Sequence, residues 1–272
     1  MNKSMLISVD YHLTDICNLN CAHCNHFCPL VPKDTKHKSI EQITADLSLL
    51  SKFKEDLGTL GLLGGEPTLH PQLSEICYIA RKFFPNNIIG ITSNGTTSNK
   101  MLQWKDAIEK NNIKFVVTIY PYKENPYEDY EKIKQIIPNN VEKWEFPTNY
   151  GMTYNELSSR NDVATPEEIK NCLKRWRCNQ LLNGKLYICH YAAYFNYLKD
   201  AFPDKINLKD VEGSYIDLNN DNLTIEDIYE FQQTAWPKLC DHCLDAHFNN
   251  YNGPTEPWRK SELDINEWWQ IQ

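Results

Sequence analysis

Short apolar runs alternate with longer stretches of mixed polarity through the first half of the chain. Runs rich in β-branched and aromatic residues predict strands at 5–13, 59–63, 87–93, 113–120 and 141–146. The stretches between them have helical periodicity and predict helices at 39–53, 70–84, within 97–110 and at 127–137. Strands that alternate with helices of this length form βαβ crossovers, which give a parallel sheet covered on both faces. We therefore predict an α/β fold of five or six such units, an open or partial barrel rather than a closed eightfold one.

The alternation ends in the second half, where residues 147–166 predict mainly loop. A short helix is expected at about 166–176, followed by a β-hairpin within 178–190. The hairpin is predicted because Asn183-Gly184 supplies the positive φ angles of a two-residue turn. We predict three parts along the chain: a partial barrel at 1–165, a small hairpin and helix domain at 166–247, and an aromatic helix or tail at 248–272.

The C-terminal part is marked by its tryptophans. Trp258, Trp268 and Trp269 are expected to lie on a C-terminal helix that packs its aromatic rings on the barrel. A cap over the substrate pocket and a dimer contact are the alternatives.

The charge balance narrows the class of partner. The chain has 28 basic and 36 acidic residues and a net charge of -8, which argues against a nucleic-acid partner and for a small or neutral substrate. No apolar stretch approaches 18 residues, and the first ten residues lack the apolar core of a signal peptide. A soluble cytoplasmic protein without a membrane partner is expected.

Cysteine chemistry changes the picture most. Four of the ten cysteines, Cys17, Cys21, Cys24 and Cys28, lie within "DICNLNCAHCNHFCPL", residues 15–30. Clustered thiols in a reducing compartment are more often metal ligands than disulfides. Cys21, Cys24 and Cys28 followed by Pro29 match the end of a bacterial ferredoxin run, which would make a closed site of a non-catalytic electron carrier. The other interpretation is an open site of three ligands, whose free iron binds a cofactor; a single zinc fits the crowded spacing less well.

Polar and glycine residues follow the predicted strands at the edge where parallel α/β folds bind ligands. Gly64 and Gly65 allow close approach of the backbone, and Glu66 with its neighbouring carbonyls can accept hydrogen bonds from an ammonium group. Ser93, Asn94 and Thr118 could bind hydroxyl or carboxylate groups. Taken alone, the turn at Gly64–Pro67 could equally be structural, and Ser93, Asn94 and Thr118 are more often cap or turn residues.

Together these motifs carry a resemblance to a known family. "CNLNCAHC" (17–24) resembles the C-x3-C-x2-C motif of the radical S-adenosylmethionine (radical SAM) enzymes, and "LLGGEPTLHP", "ITSNGT" and "VVTIYP" follow in the family's order. The resemblance covers about residues 5–150 and implies a partial (β/α)6 TIM-like barrel. It implies a 4Fe-4S cluster on Cys17, Cys21 and Cys24, with Cys28 as the spare cysteine. It implies S-adenosyl-L-methionine contacts from His23, Gly64, Gly65, Glu66, Ser93, Asn94 and Thr118.

The family activity implied is reductive cleavage of S-adenosylmethionine to methionine and a 5'-deoxyadenosyl radical, which abstracts hydrogen from the substrate. A flavodoxin- or ferredoxin-type protein would supply the electron. His23 stands where the family often has an aromatic residue near adenine, which is a mild departure.

A second cysteine set resembles the family's twitch or SPASM-like auxiliary-cluster region. The set is Cys178, Cys189 after Gly184-x4, and Cys240-x2-Cys243, and it implies one auxiliary 4Fe-4S cluster, since no cysteine follows 243. Structural zinc on the same four thiolates is the alternative. Cys172 is expected to be a packed thiol, with hydrogen-atom donation in an epimerase as its alternative role.

The compact arrangement most resembles the aminocyclitol (2-deoxy-scyllo-inosamine) dehydrogenase type of this family. That resemblance implies a radical SAM oxidoreductase that oxidises or epimerises a carbinol carbon of a small carbohydrate-like substrate, with the auxiliary cluster as electron relay. Candidates for the catalytic base are Tyr120, Arg175, Arg177 and His190. The alternative is a peptide-crosslinking or peptide-epimerising enzyme. Peptide-modifying members of the family often carry a leader-recognition domain before the first cluster cysteine, and here that cysteine stands at position 17, so we favour a small substrate.

Overall fold

The structure is a computed structural model that describes residues 6–145, 151–153, 157–209, 211–244 and 255–271. The chain forms two compact units, one of Met1–Leu19 with Asp34–Tyr150 and one of Asn20–Lys33 with Gly151–Gln272. The change of unit at residue 150 falls near the end of the predicted strand and helix alternation. The predicted domain limits at 165 and 247 stay a prediction. In the described part, no helix is both long and apolar enough to cross a membrane.

The first unit alternates strands and helices as the sequence predicts. Its elements are β1 (Leu6–Thr14), α1 (Ile40–Leu50), β2 (Leu57–Gly64), α2 (Leu73–Phe83), β3 (Ile88–Ser93), α3 (Lys105–Lys110), β4 (Lys114–Ile119), α4 (Glu128–Ile136) and β5 (Val141–Glu145). The strands pair in parallel in the order β1-β2-β3-β4-β5. The predicted α/β class with the parallel sheet of a partial barrel is confirmed.

Local sequence explains these elements. Val9, Tyr11 and Leu13 on one face of β1 and His12 and Thr14 on the other are all buried, as expected for a strand of a parallel sheet that is covered on both faces. Ser39 caps α1 by accepting a hydrogen bond from the backbone N–H of Gln42 at 3.2 Å. In α2, Leu73, Ile76, Cys77 and Ala80 form the buried stripe, so Cys77 is a packed thiol whose pKa burial raises to about 12.

The second unit contains shorter elements. They are β6 (Gly151–Thr153), β7 (Leu157–Ser158), α5 (Pro166–Lys170), α6 (Lys174–Arg177), β8 (Asn179–Leu182), β9 (Lys185–Tyr187), α7 (His190–Ala201), β10 (Tyr215–Asp217), α8 (Ile225–Thr234), β11 (Thr255–Pro257) and β12 (Trp269–Gln270). The predicted hairpin is β8-β9, with positive φ at Asn183 and Gly184 in its turn. The predicted loop at 147–166 lies partly outside the described residues. The sequence pattern did not predict α7, the longest helix described in this unit.

The C-terminal segment differs from the prediction. Within 255–271 the chain forms β11, one 3-10 turn at Ile265–Glu267 and β12, and no α-helix. Ile265, Trp268 and Trp269 do have the i, i+3, i+4 spacing of a helical face, but pairing with distant strands decides the backbone of this segment. Instead β11 pairs with β6 and β12 pairs with β7, and Trp268 and Trp269 are buried in the hydrophobic core of the second unit.

Candidate functional site

The loop that carries the first cysteine is fixed by the turn after β2. Gly65 N–H donates to the carbonyl of Thr14 at 2.8 Å, and Glu66 N–H donates to the carbonyl of Ile16 at 2.9 Å. A Cβ on Gly65 would lie 2.3 Å from the carbonyl oxygen of Ile16, and Gly64 has a φ of 151°. The two glycines therefore let two backbone segments touch, and this contact sets the start of the loop that contains Cys17.

Gly65→Ala is expected to destabilise the protein by about 2 kcal/mol or more, because its Cβ would clash with backbone atoms of Asp15 and Ile16, which cannot move aside as a flexible side chain could. Gly90→Ala in β3 is the matched control, since the nearest atom to its Cβ would be a carbonyl oxygen at an ordinary 3.8 Å. Urea unfolding of the two variants measures the difference. Equal stability of both variants would contradict this role of Gly65.

Glu66 is the centre of a buried network in the first unit. Its Oε1 accepts hydrogen bonds from the hydroxyl of Ser93 at 2.8 Å and from the backbone and hydroxyl of Thr68 at 3.1 and 2.5 Å. Its Oε2 accepts from the backbone N–H of Asn94 at 2.7 Å. Burial raises the pKa of Glu66, and these donors act in the opposite direction. The carboxylate thus joins the ends of β2 and β3, and its acceptor capacity is used mainly within the protein.

Asn94 connects this network to the first cysteine. Its side-chain N–H group donates to the Cys17 sulfur at 3.9 Å and to the Asn18 carbonyl oxygen at 3.0 Å. Its own amide oxygen accepts from the backbone N–H of Thr96 at 3.0 Å. The predicted contact residues Ser93, Asn94 and Thr118 are all buried at the carboxyl ends of their strands. Asn94 is therefore a positioning residue for Cys17.

The other cysteines of this motif belong to the second unit. Cys21 is buried and accepts a hydrogen bond from the Trp258 indole at 3.1 Å, while the carbonyl of Cys24 accepts one from the Trp268 indole at 3.0 Å. A hydrogen bond with the thiol of Cys28 is the main cause that lowers the pKa of Cys24 to about 7. The arrangement favours a thiolate at Cys24 with Cys28 as its donor.

His23 lies between these cysteines with a φ of 54°. One ring nitrogen is 2.8 Å from the carbonyl oxygen of Glu267, and the other is 2.7 Å from the Glu256 carboxylate. Both nitrogens are therefore in contact with the C-terminal segment. A role of His23 beside adenine stays a prediction.

The second unit brings together four cysteines, three of which the sequence analysis selected. Cys172 is the fourth member of the group. Charges on three thiols raise the pKa of Cys240, and these are the thiols of Cys189, Cys243 and Cys172. Cys172, Cys240 and Cys243 also pack against the same pair of buried residues, Ala164 and Ile169. Burial raises the pKa of Cys189 to about 12 and raises that of Cys240 strongly.

Cys178 has a different position. It is the C-cap of α6, where its N–H donates to the carbonyl of Lys174 at 2.9 Å. Among the described residues, no three His, Cys, Asp or Glu side chains are arranged to hold one metal ion.

The predicted base candidates occupy unlike environments. Arg175 is buried and donates to the carbonyls of Ile169 at 3.0 Å and Ala235 at 2.6 Å, which makes it a structural cation. Arg177 is exposed at the end of α6, and Tyr120 is partly buried just after β4. His190 is buried at the start of α7 with its ring stacked on His26 at 5.1 Å.

The sequence pattern did not predict one buried pair of a histidine and a carboxylate. His12, on β1, is fully buried, and its Nδ1 lies 2.6 Å from the carboxylate of Asp15. Burial is the main cause that lowers the pKa of His12, against the opposing effect of Asp15. His12 lies in β1 and Asp15 lies just after its end. Neither the alternation of a strand nor the spacing of a helix therefore predicts that their side chains meet.

Comparison with known proteins identifies the first unit. Residues 11–144, about half of the chain, match the family profile "Radical SAM superfamily". The chain carries a radical SAM domain. The predicted resemblance is therefore confirmed for residues 11–144, and the family that it names binds a 4Fe-4S cluster and S-adenosylmethionine.

Two curated relatives match over a limited region. The antilisterial bacteriocin subtilosin biosynthesis protein AlbA of Bacillus subtilis (strain 168) is 33% identical over 97 residues, which is 35% of this chain and 20% of AlbA. The GTP 3',8-cyclase of Photorhabdus laumondii is 30% identical over 98 residues, 35% of this chain and 29% of the relative. The matched regions thus span less than a third of either relative.

One solved structure is similar over nearly the whole chain. The crystal structure of BtrN in complex with AdoMet and 2-DOIA has a TM-score of 0.53, covering 93% of this chain and 89% of BtrN at 15% identity. At this identity the likeness shows the fold. The residues present also fit a cluster, because two of the three predicted ligands, Cys17 and Cys21, accept N–H hydrogen bonds at their sulfurs.

Proposed function

We propose that the protein is a radical SAM oxidoreductase that oxidises or epimerises a carbinol carbon of a small carbohydrate-like substrate. The observation that carries this proposal is the second set of thiols, Cys172, Cys189, Cys240 and Cys243, in a chain that already has a radical SAM domain. A second redox centre is useful to an oxidation, which must dispose of one more electron than hydrogen-atom abstraction removes.

When bound, the first cluster and S-adenosylmethionine would supply reductive cleavage of the cofactor and hydrogen-atom abstraction, and an auxiliary cluster would supply an acceptor for the second electron of an oxidation. Cys17, Cys21 and Cys24 would hold the first cluster. Glu66 would hold the strand ends in place, so that the neighbouring carbonyls, rather than Glu66 alone, receive the ammonium of S-adenosylmethionine.

The substrate's hydroxyl proton needs a base in an oxidation. His12 and Asp15 form an oriented pair through their contact at 2.6 Å, but His12 is fully buried, so the pair is not proposed as the base. Tyr120, Arg177 and His190 remain predicted candidates. Arg175 is the weakest of them, since its guanidinium donates to two carbonyls of the protein.

Structural zinc on the second thiol set stays the alternative, since four thiolates also suit a single tetrahedral zinc. Iron, acid-labile sulfide and zinc analysis of the reconstituted protein distinguishes the two: about eight irons per chain for two clusters, and about four irons with one zinc for a structural site.

The test of the enzyme is anaerobic cofactor cleavage. The reconstituted, dithionite-reduced protein incubated with S-adenosylmethionine is expected to form 5'-deoxyadenosine, measured by liquid chromatography and mass spectrometry. Cys21→Ala is expected to give background only, since it removes a cluster ligand. Equal, background-level formation by both proteins would favour the alternative of a non-catalytic iron–sulfur electron carrier.

A peptide substrate is the second candidate, and the similarity to the bacteriocin biosynthesis protein AlbA favours it. A panel of aminocyclitols, sugars and candidate peptides in deuterated buffer separates the possibilities. Oxidation gives one 5'-deoxyadenosine per ketone formed, epimerisation places solvent deuterium on carbon, and peptide crosslinking removes two hydrogens from the peptide. A flavodoxin or ferredoxin that replaces dithionite would identify the proposed reductant.

A further inference from the structure

The C-terminal segment 256–268 pairs with the cysteine loop of the second unit. Ala22 N–H donates to the carbonyl of Arg259 at 3.1 Å, and Ser261 N–H donates to the carbonyl of Asn20 at 2.8 Å. Between them, Cys21 and Lys260 form an antiparallel bridge. A segment more than 200 residues away in sequence thus gives the loop the backbone partners of a short β-ladder.

Three further contacts of the same segment hold the loop at Cys21, His23 and Cys24. The Trp258 indole donates to the sulfur of Cys21 at 3.1 Å, the Trp268 indole donates to the carbonyl of Cys24 at 3.0 Å, and His23 contacts the carbonyl of Glu267 at 2.8 Å. Two of these contacts end on backbone or ring atoms. The contact of Trp258 ends on a predicted iron ligand.

The segment is itself rigidly held. Glu267 is 2% exposed, and its carboxylate accepts hydrogen bonds from the guanidinium of Arg259, the hydroxyl of Ser261 and the backbone N–H of Glu262. Trp268, the next residue, is 2% exposed in the core of the second unit. The residues on both sides of Trp258 are therefore fixed, and its indole N–H is pre-oriented toward Cys21.

An N–H group directed at a cluster thiolate has a specific electronic effect. The indole nitrogen can only donate a hydrogen bond, so the Cys21 sulfur is the acceptor in this contact. Donation to a cluster sulfur withdraws negative charge from it and stabilises the reduced cluster, which carries one more electron. The Asn94 contact with Cys17 is much longer, at 3.9 Å, and is expected to contribute less.

We infer that Trp258 is a positioning residue that raises the reduction potential of the SAM-binding cluster through its hydrogen bond to Cys21. The C-terminal segment is then part of the redox site as well as of the fold. The inference rests on the proposed role of Cys21 as a cluster ligand.

Trp258→Phe tests it, because phenylalanine keeps the aromatic volume and removes the N–H. Both proteins are reconstituted anaerobically and poised at a series of potentials, and the reduced cluster is measured by electron paramagnetic resonance. At the potential where the wild-type cluster is half reduced, we expect the ratio of reduced to oxidised cluster in the variant to fall by about threefold to tenfold, a tenfold change being about 59 mV for one electron. A wild-type potential in Trp258→Phe overturns the inference.

Two matched controls make the result specific. Trp144→Phe changes an exposed tryptophan on β5 of the other unit and is expected to leave the potential unchanged. Trp268→Phe removes a donor to a backbone carbonyl of the same loop and is expected to shift the potential less than Trp258→Phe. An equal shift in Trp268→Phe overturns the inference, since general loosening of the loop would then explain both.

Iron content separates the outcomes further. If Trp258→Phe binds no cluster, the second variant is Trp258→Gln, which restores a side-chain N–H donor and is expected to recover iron. Failure of both variants to bind iron, with circular dichroism spectra like that of the wild type, overturns the donor role. A wild-type protein that binds iron but shows no difference from Trp258→Phe contradicts this inference alone. A wild-type protein that binds no cluster overturns the proposed function together with it.

Discussion

Cys24→Ala is expected to lose the first 4Fe-4S cluster and all cleavage of S-adenosylmethionine above background, whereas Cys28→Ala is expected to keep both. The spacing of Cys17, Cys21 and Cys24 matches the three-ligand motif of the radical SAM domain. In the structure, Cys28 starts a 3-10 turn, and its hydrogen bond with Cys24 lowers the pKa of Cys24. A cysteine that donates to a neighbouring thiolate is a partner of the ligand rather than a ligand itself.

The measurement combines iron and acid-labile sulfide after anaerobic reconstitution with the yield of 5'-deoxyadenosine. Cys77→Ala is a useful control, since this thiol is packed in α2 of the first unit. Loss of the cluster in Cys28→Ala would mean a closed site of four cysteines. That result would favour the electron carrier over the enzyme, because no iron would remain open for the cofactor.

The strands and helices of the first unit, which depend on local sequence, were predictable. Strand and helix positions in the first unit follow from alternating and helical burial, and the cap at Ser39 and the Asn183-Gly184 turn depend only on neighbouring residues. The partners of each residue type were less predictable. Gly65 and Glu66 were expected to face a ligand, and in this structure they first serve the protein, through the close approach to Ile16 and the bonds to Thr68, Ser93 and Asn94. The residue type alone does not show whether a glycine or a carboxylate contacts a ligand or another part of the protein.

Contacts between distant segments could not be deduced from pattern. The bond between Trp258 and Cys21 spans 237 positions, and no local periodicity relates the two residues. The predicted C-terminal helix was wrong for the same reason: the aromatic residues of 255–271 serve extended pairing and the core of the second unit, not a helical face. The choice between Cys172 and Cys178 likewise depends on how the short helix α6 is placed between them.

That choice leads to the second prediction. We expect Cys172→Ser to lower the iron content of the reconstituted protein from about eight to about four atoms per chain, and Cys178→Ser to leave it near eight. The reason is placement: Cys172 acts on Cys189 and Cys240 and packs beside Cys240 and Cys243, whereas Cys178 caps α6. The remaining cluster in Cys172→Ser is expected to be the first one, so 5'-deoxyadenosine formation without substrate should persist.

Iron, sulfide and zinc analysis of the two serine variants provides the decision. Because the variants exchange the same atoms only six positions apart, each is the control of the other. Loss of four irons in Cys178→Ser alone would restore Cys178 as the ligand, as the sequence spacing first predicted. One zinc and about four irons in the wild type would replace the auxiliary cluster by a structural site, and the substrate's second electron would then need another acceptor. Substrate oxidation that continues at the wild-type rate in Cys172→Ser would remove the auxiliary cluster from the reaction, since a relay that has lost a ligand cannot retain its potential.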